Sequence, residues 1–136
     1  MLAGVINRLN PDGMHATPGY AHVTTTERRR QVYLAGQVPL AGDGSLVGAG
    51  DLIAQVGQVV RNIGSALAAV GATPEDVVRT VIYVVSGERD DLATVWTALR
   101  SSPFAPALST ASTLLGVSQL GFAGQLVEID VTAALG

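Results

Sequence analysis

The segment "APALSTASTLLGVSQL", Ala105 to Leu120, sets five hydroxyl side chains in an otherwise apolar run, and "LVEIDV" beyond it carries Glu128 and Asp130. Hydroxyls near carboxylates suit two chemistries. One is an activated oxygen nucleophile; the other is a pocket where an acid moves protons while hydroxyls hold a ligand. A nucleophile needs a base that a third group orients. His15 and His22 lie on distant segments, and nothing in their spacing orients either, so a serine-hydrolase constellation is not supported. The question becomes whether Ser109, Thr110, Ser112 and Thr113 share a site with Glu128 or decorate a strand.

Composition narrows the chemistry further. Without cysteine there is no thiolate nucleophile, disulfide framework or thiolate zinc site, and two histidines are thin material for a transition metal, so no metal or cofactor is expected. The chain has no lysine and a net charge of −3, which argues against nucleic acid as a partner, because binding phosphates requires an array of cations. The one basic run, Arg28 to Arg30, reads as a solvated turn. No apolar stretch approaches the roughly 20 residues that cross a bilayer, and no signal pattern opens the chain. A cytoplasmic protein without membrane contact is expected. With 136 residues, 48% of them hydrophobic, one domain spanning 1–136 is expected. The low charge, 14%, suggests that some apolar surface closes an interface between subunits.

Elements that could position the hydroxyls and acids follow from periodicity. "GVINRLN" reads as a strand ended by the turn residues Asn10 to Gly13. "YAHVTTT" and "QVYLAGQV" read as two strands joined by "ERRR" and paired antiparallel. From Leu52 to Val70, apolar residues at Ile53, Val56, Val59, Val60, Ile63, Leu67 and Val70 line one helical face. Asp51 is its N-cap and Gly71 its terminator. Thr73 and Pro74 open a short helical turn before the strand "VVRTVIYVV"; "ERDDLATVWTALR" is a second helix; "STASTLLGVS" and "QLVEIDVTAA" are two more strands. Both helices should cover one face of a small mixed sheet. The other face then presents Glu128 and Asp130 among Val, Tyr, Leu and Ala, an arrangement suited to burial against partner subunits with polar pockets between them.

Several stretches in this order are similar to one family: "GYAH", "VYLAGQVPL", "GDGSLVGAGD", "NIGSAL", "VGATPEDVVRTVIYVV", "DLATV" and "LVEIDVTA" resemble the RidA/YjgF/UK114 proteins across nearly the whole chain. The resemblance implies a chorismate-mutase-like α/β fold, a homotrimeric barrel and small-molecule clefts between subunits. It also implies cofactor-free hydrolysis of reactive enamines and imines to oxo acids and ammonia. By the same resemblance, Glu128 is the catalytic acid that positions or deprotonates water, Tyr20 borders the cleft, and Ala35, Gly36 and Gln37 form its strand end.

The sequence departs from that family where the substrate carboxylate is held. Ser112 stands where the family carries a forked arginine, Leu114 where it carries a cysteine, and Trp96 where it carries an asparagine. No arginine occurs anywhere from Ser101 to Gly136, and Arg79 is the nearest substitute, unless it serves as an ion-pair partner of Glu128 or Asp130. Losing one member of a desolvated charge pair costs roughly 2–5 kcal/mol, about 30-fold or more in affinity. The expected substrate-binding set is therefore Tyr20, Ala35, Gly36, Gln37, Trp96, Ser112 and Leu114. It accepts an uncharged or larger ligand, with Ser112 donating one neutral hydrogen bond and Trp96 offering stacking area. Three functions are consistent with this set: an imine hydrolase of altered specificity, a pathway-specific enzyme using Glu128 on a larger natural-product-like intermediate, and a non-catalytic binding trimer.

Overall fold

A computed structural model describes residues 4–136. Two sheets form. Strands β1 (Ile6–Leu9) and β2 (Val23–Thr26) make an antiparallel pair, while β3 (Arg30–Tyr33), β4 (Val77–Val85), β5 (Ala111–Val117) and β6 (Val127–Leu135) make a mixed sheet in the order β3-β6-β4-β5. Within it β4 and β5 run parallel, with Thr80 opposite Ser112 and Ile82 opposite Leu114. Strand β6 runs antiparallel to both β3 and β4.

The expected pairing of 20–26 with 31–38 does not occur: β2 pairs with β1, and β3 pairs with β6. Arg28 gives the physical reason. Its Nε donates to the Gly4 carbonyl, and the same guanidinium reaches Asp76 at 2.7 Å and the Ala134 carbonyl at 3.0 Å. The "ERRR" run is therefore a tether between two sheets and not a solvated hairpin turn. The Arg28–Asp76 contact is the one ion pair among the described residues.

Helix α1 spans Leu52–Ala68 and carries the Asp51 cap, whose carboxylate accepts from the Ala54 amide at 3.0 Å. It ends two residues before Val70, and Gly71 takes φ +77° beyond it, a backbone region open to glycine. Val56, Val59, Val60, Ile63 and Leu67 face the core as expected. Ile53 does not: it is 51% exposed, and the buried residue of that first turn is Gln55. Periodicity reads hydrophobicity and misses this exchange, because Gln55 is buried to serve backbone groups. Its amide donates to the Gly48 and Gly124 carbonyls, and its Oε1 accepts from the Leu126 amide at 2.7 Å.

Thr73 precedes a 3-10 turn at Pro74–Asp76, with the Asp76 carboxylate accepting from the Thr73 amide. Helix α2 spans Arg89–Arg100. Both helices lie on the face of the mixed sheet that carries Ile82, Val84, Val127 and Ile129, all fully buried. Strict alternation then sends Tyr83, Glu128 and Asp130 to the opposite face.

Replacing Gln55 with leucine keeps the volume and strands two carbonyls and one amide. We expect a loss of about 2–4 kcal/mol in urea denaturation; an unchanged midpoint would show that the loops find other partners.

Candidate functional site

Strand β5 is an edge strand, and its outer margin is met at its start by Ala21, bridged in parallel to Ala111. The chain arriving at Ala21 and helix α2 leave an open pocket of about 490 Å³ along this margin, lined by Pro18, Tyr20, Ala93, Trp96, Ser112, Thr113 and Leu114. Four residues expected from sequence to share a site, Tyr20, Trp96, Ser112 and Leu114, are thus brought together. None of the lining residues carries a charge.

The pocket's wall is held by one carbonyl. Trp96 and Arg100, a turn apart on α2, both donate to the Pro18 oxygen, Trp96 through Nε1 at 3.2 Å. Gly19 follows with φ +127°, and a Cβ there would collide with the Arg100 guanidinium. That backbone angle, which L side chains rarely adopt, favours glycine where the chain passes the arginine and presents Tyr20. The Tyr20 and Trp96 rings meet edge to face, centroids 6.4 Å apart.

Ser112 sits beside Thr80 on the helix-covered face. Its Oγ accepts from Thr80 Oγ1 at 2.6 Å and donates to the Thr110 carbonyl at 3.0 Å. Its hydrogen is therefore engaged, so the expectation that Ser112 donates to a ligand is corrected: it has a lone pair to offer. Ser109 and Thr110 are likewise occupied, with the Pro106 carbonyl and with Thr24. The hydroxyl-rich segment is largely structural, apart from Ser112 and Thr113 at the pocket.

Glu128 and its neighbours stand on the opposite face of the sheet. Between Leu34, bonded to Val131, and Gln37, bonded both ways to Ile129, the chain carries an extra residue that lifts Ala35 and Gly36 off the ladder. Gly36 then lies against the two acids: a Cβ there would run into the Glu128 carboxylate and come within 2.9 Å of Asp130 Oδ1. Gln37 turns its amide to the Ala35 carbonyl.

Sequence reasoning missed Gln125, which is 3% exposed. Its Nε2 donates to the Val127 carbonyl and to Glu128 Oε1 at 3.0 and 3.1 Å, fixing the direction of the acid. A polar residue opening the last strand three positions before an acid was the available signal. Tyr83 Oη donates to Asp130 Oδ2 at 3.1 Å. Burial first, then that hydrogen bond and the nearby acids, push the Tyr83 phenol above its ordinary value. Arg79 is exposed on the same face as these acids and makes no ion pair with either. Among the described residues no cluster of three histidines or acids could hold a metal ion, and no helix is long and apolar enough to cross a membrane.

The family model described as Endoribonuclease L-PSP matches residues 12–135. Among solved structures, a protein of unknown function of the conserved Rid family from Yersinia pestis, YyfB, is 35% identical with a TM-score of 0.87, over 96% of this chain and 98% of that one. A YjgF/YER057c/UK114 family member from Mycobacterium tuberculosis is 29% identical with a TM-score of 0.60, over 96% of this chain and 99% of that one. A putative endoribonuclease from Thermotoga maritima is 22% identical with a TM-score of 0.68, over 100% and 99%, a likeness of fold. No curated protein sequence matches the chain.

A near-ultraviolet titration of the tyrosines tests the acidic face. The last phenol to ionise should be Tyr83, and Asp130→Asn should move that step to lower pH; an unmoved step would contradict the Tyr83–Asp130 contact.

Proposed function

This chain belongs to the Endoribonuclease L-PSP family, the Rid/YjgF proteins, and on that premise we propose that it is a cofactor-free imine or enamine hydrolase acting on uncharged or larger substrates. One observation carries the reading: every side chain lining the pocket of Tyr20, Trp96, Ser112 and Leu114 is uncharged. Such a lining favours apolar surface and neutral hydrogen-bonding groups, and it leaves a carboxylate without a counter-charge. Arg100 is occupied with the Pro18 carbonyl on the rim.

The acid stands apart from this pocket, on the other face of the sheet. A working site therefore takes the pocket from one copy and Glu128 from the next, in the homotrimer that the family resemblance implies. There Glu128, oriented by Gln125, accepts a proton from water as the water oxygen bonds to the imine carbon. Glu128 hands that proton to the imine nitrogen, giving a carbinolamine; a second proton then reaches the nitrogen while the carbinolamine hydroxyl gives its proton to Glu128, the C=O bond forms, the C–N bond breaks, and the amine or ammonia leaves. The ribonuclease activity suggested by the family's description has little to support it in an acidic chain without lysine.

Two substrates generated in situ test the reading. With 2-iminopropanoate the protein should stay near the uncatalysed rate, and Ser112→Arg should raise hydrolysis about 30-fold; brisk wild-type turnover would contradict the uncharged-substrate assignment. With the neutral benzaldimine, wild type should accelerate release of benzaldehyde, and Glu128→Gln should lower that rate about 100-fold. Hydrolysis of neither would leave a binding protein and overturn the enzymatic reading.

A further inference from the structure

Tyr20 has a partner that the imine-hydrolase reading does not use. His15 Nε2 and Tyr20 Oη are 3.0 Å apart, on either side of the turn that Pro18 and Gly19 make. His15 is itself held. His22 Nε2 donates to the His15 carbonyl at 2.8 Å, and the two rings meet edge to face with centroids 4.5 Å apart. His22 is fixed in turn, its amide donating to Asn10 Oδ1 at 2.8 Å.

We propose that His15 is a positioning residue that sets which way the Tyr20 hydroxyl presents its hydrogen to the pocket. A protonated imidazole can only donate, so it gives its Nε2 hydrogen to Tyr20 Oη and leaves the phenol hydrogen free for a ligand. In the neutral pair the phenol is the stronger donor and the imidazole nitrogen the stronger acceptor, so Nε2 takes the phenol hydrogen, the imidazole hydrogen sits on Nδ1, and the pocket is left a lone pair.

The pocket gives this choice its consequence, because two of its donors are engaged. The Trp96 Nε1 hydrogen goes to the Pro18 carbonyl, and the Ser112 hydrogen to the Thr110 carbonyl. Thr113 also lines the pocket, on β5. A carbonyl or imine nitrogen set against the Tyr20–Trp96 wall therefore takes its hydrogen bond from Tyr20. In the proposed hydrolysis, Tyr20 Oη–H passes its proton to the departing nitrogen as the C–N bond breaks, and His15 Nε2–H replaces it. His15 is exposed and recovers its proton from water. His22 is the ionisable group whose ring meets both His15 and Tyr20, and Arg100, always charged, stands at the Pro18 carbonyl.

The inference rests on the pocket being the ligand site, and the test separates the two. Acetophenone, a neutral carbonyl, is titrated into the full chain while the fluorescence of Trp96, its one tryptophan, is followed between about pH 5 and 8. Wild type should bind about fivefold tighter at the acid end, the value of one neutral hydrogen bond. The midpoint should coincide with the His15 Cε1–H titration seen by NMR. His15→Gln and Tyr20→Phe should each bind with no pH dependence, while His22→Gln should retain it. Binding that is independent of pH in wild type, or a dependence that survives in His15→Gln, overturns the role of His15 alone. Absence of binding at every pH overturns the pocket as the ligand site, and the inference with it.

Discussion

The complete burial of one face of β4 and β6 is the constraint on which the rest of the structure depends. Ile82, Val84, Val127 and Ile129 are wholly removed from solvent beneath α1 and α2. Burying side chains of this size contributes about 1.5–3 kcal/mol each, so a register slip of one residue would forfeit the core and place acids inside it. With that face settled, the position of Glu128, Asp130 and Tyr83 on the other follows from the two-residue repeat of a strand. Gly36 is the local consequence: the chain crosses above the acids where a Cβ would meet the Glu128 carboxylate.

The same constraint separates the two halves of the candidate site. Ser112 and Leu114 share the helix-covered side of the sheet with Thr80 and Ile82, and they meet solvent because β5 is an edge strand. Tyr20 and Trp96 close that edge through the shared Pro18 carbonyl. Glu128 is not among the pocket's lining residues, so in the proposed reaction a second copy brings its Glu128 to the pocket. The bare face, with Tyr33 76% exposed, is suited to such a contact.

Much of this was legible in the sequence, and the limits have physical causes. The valine stripe of α1, the Asp51 cap and the alternation of Val127, Ile129 and Val131 against Glu128 and Asp130 are local signals, and the elements follow them. Grouping Tyr20 with Trp96, Ser112 and Leu114 came from a family resemblance, and the structure brings those four to one pocket. What failed depends on distant partners. Arg28 reads as one cation in a polar turn until Asp76 and the Ala134 carbonyl are beside it. Gln55 breaks an apolar stripe because three backbone groups from two loops converge on it. Ser112 looked like a donor for a ligand because no sequence shows where a hydroxyl hydrogen is already engaged.

The claim that a second copy completes the site is tested most directly by sedimentation equilibrium of the full chain. We expect a species of about three times the 13.9 kDa chain mass at catalytic concentrations. A mass of one chain under those conditions would contradict it, since no single copy brings Glu128 to the pocket of Tyr20 and Trp96.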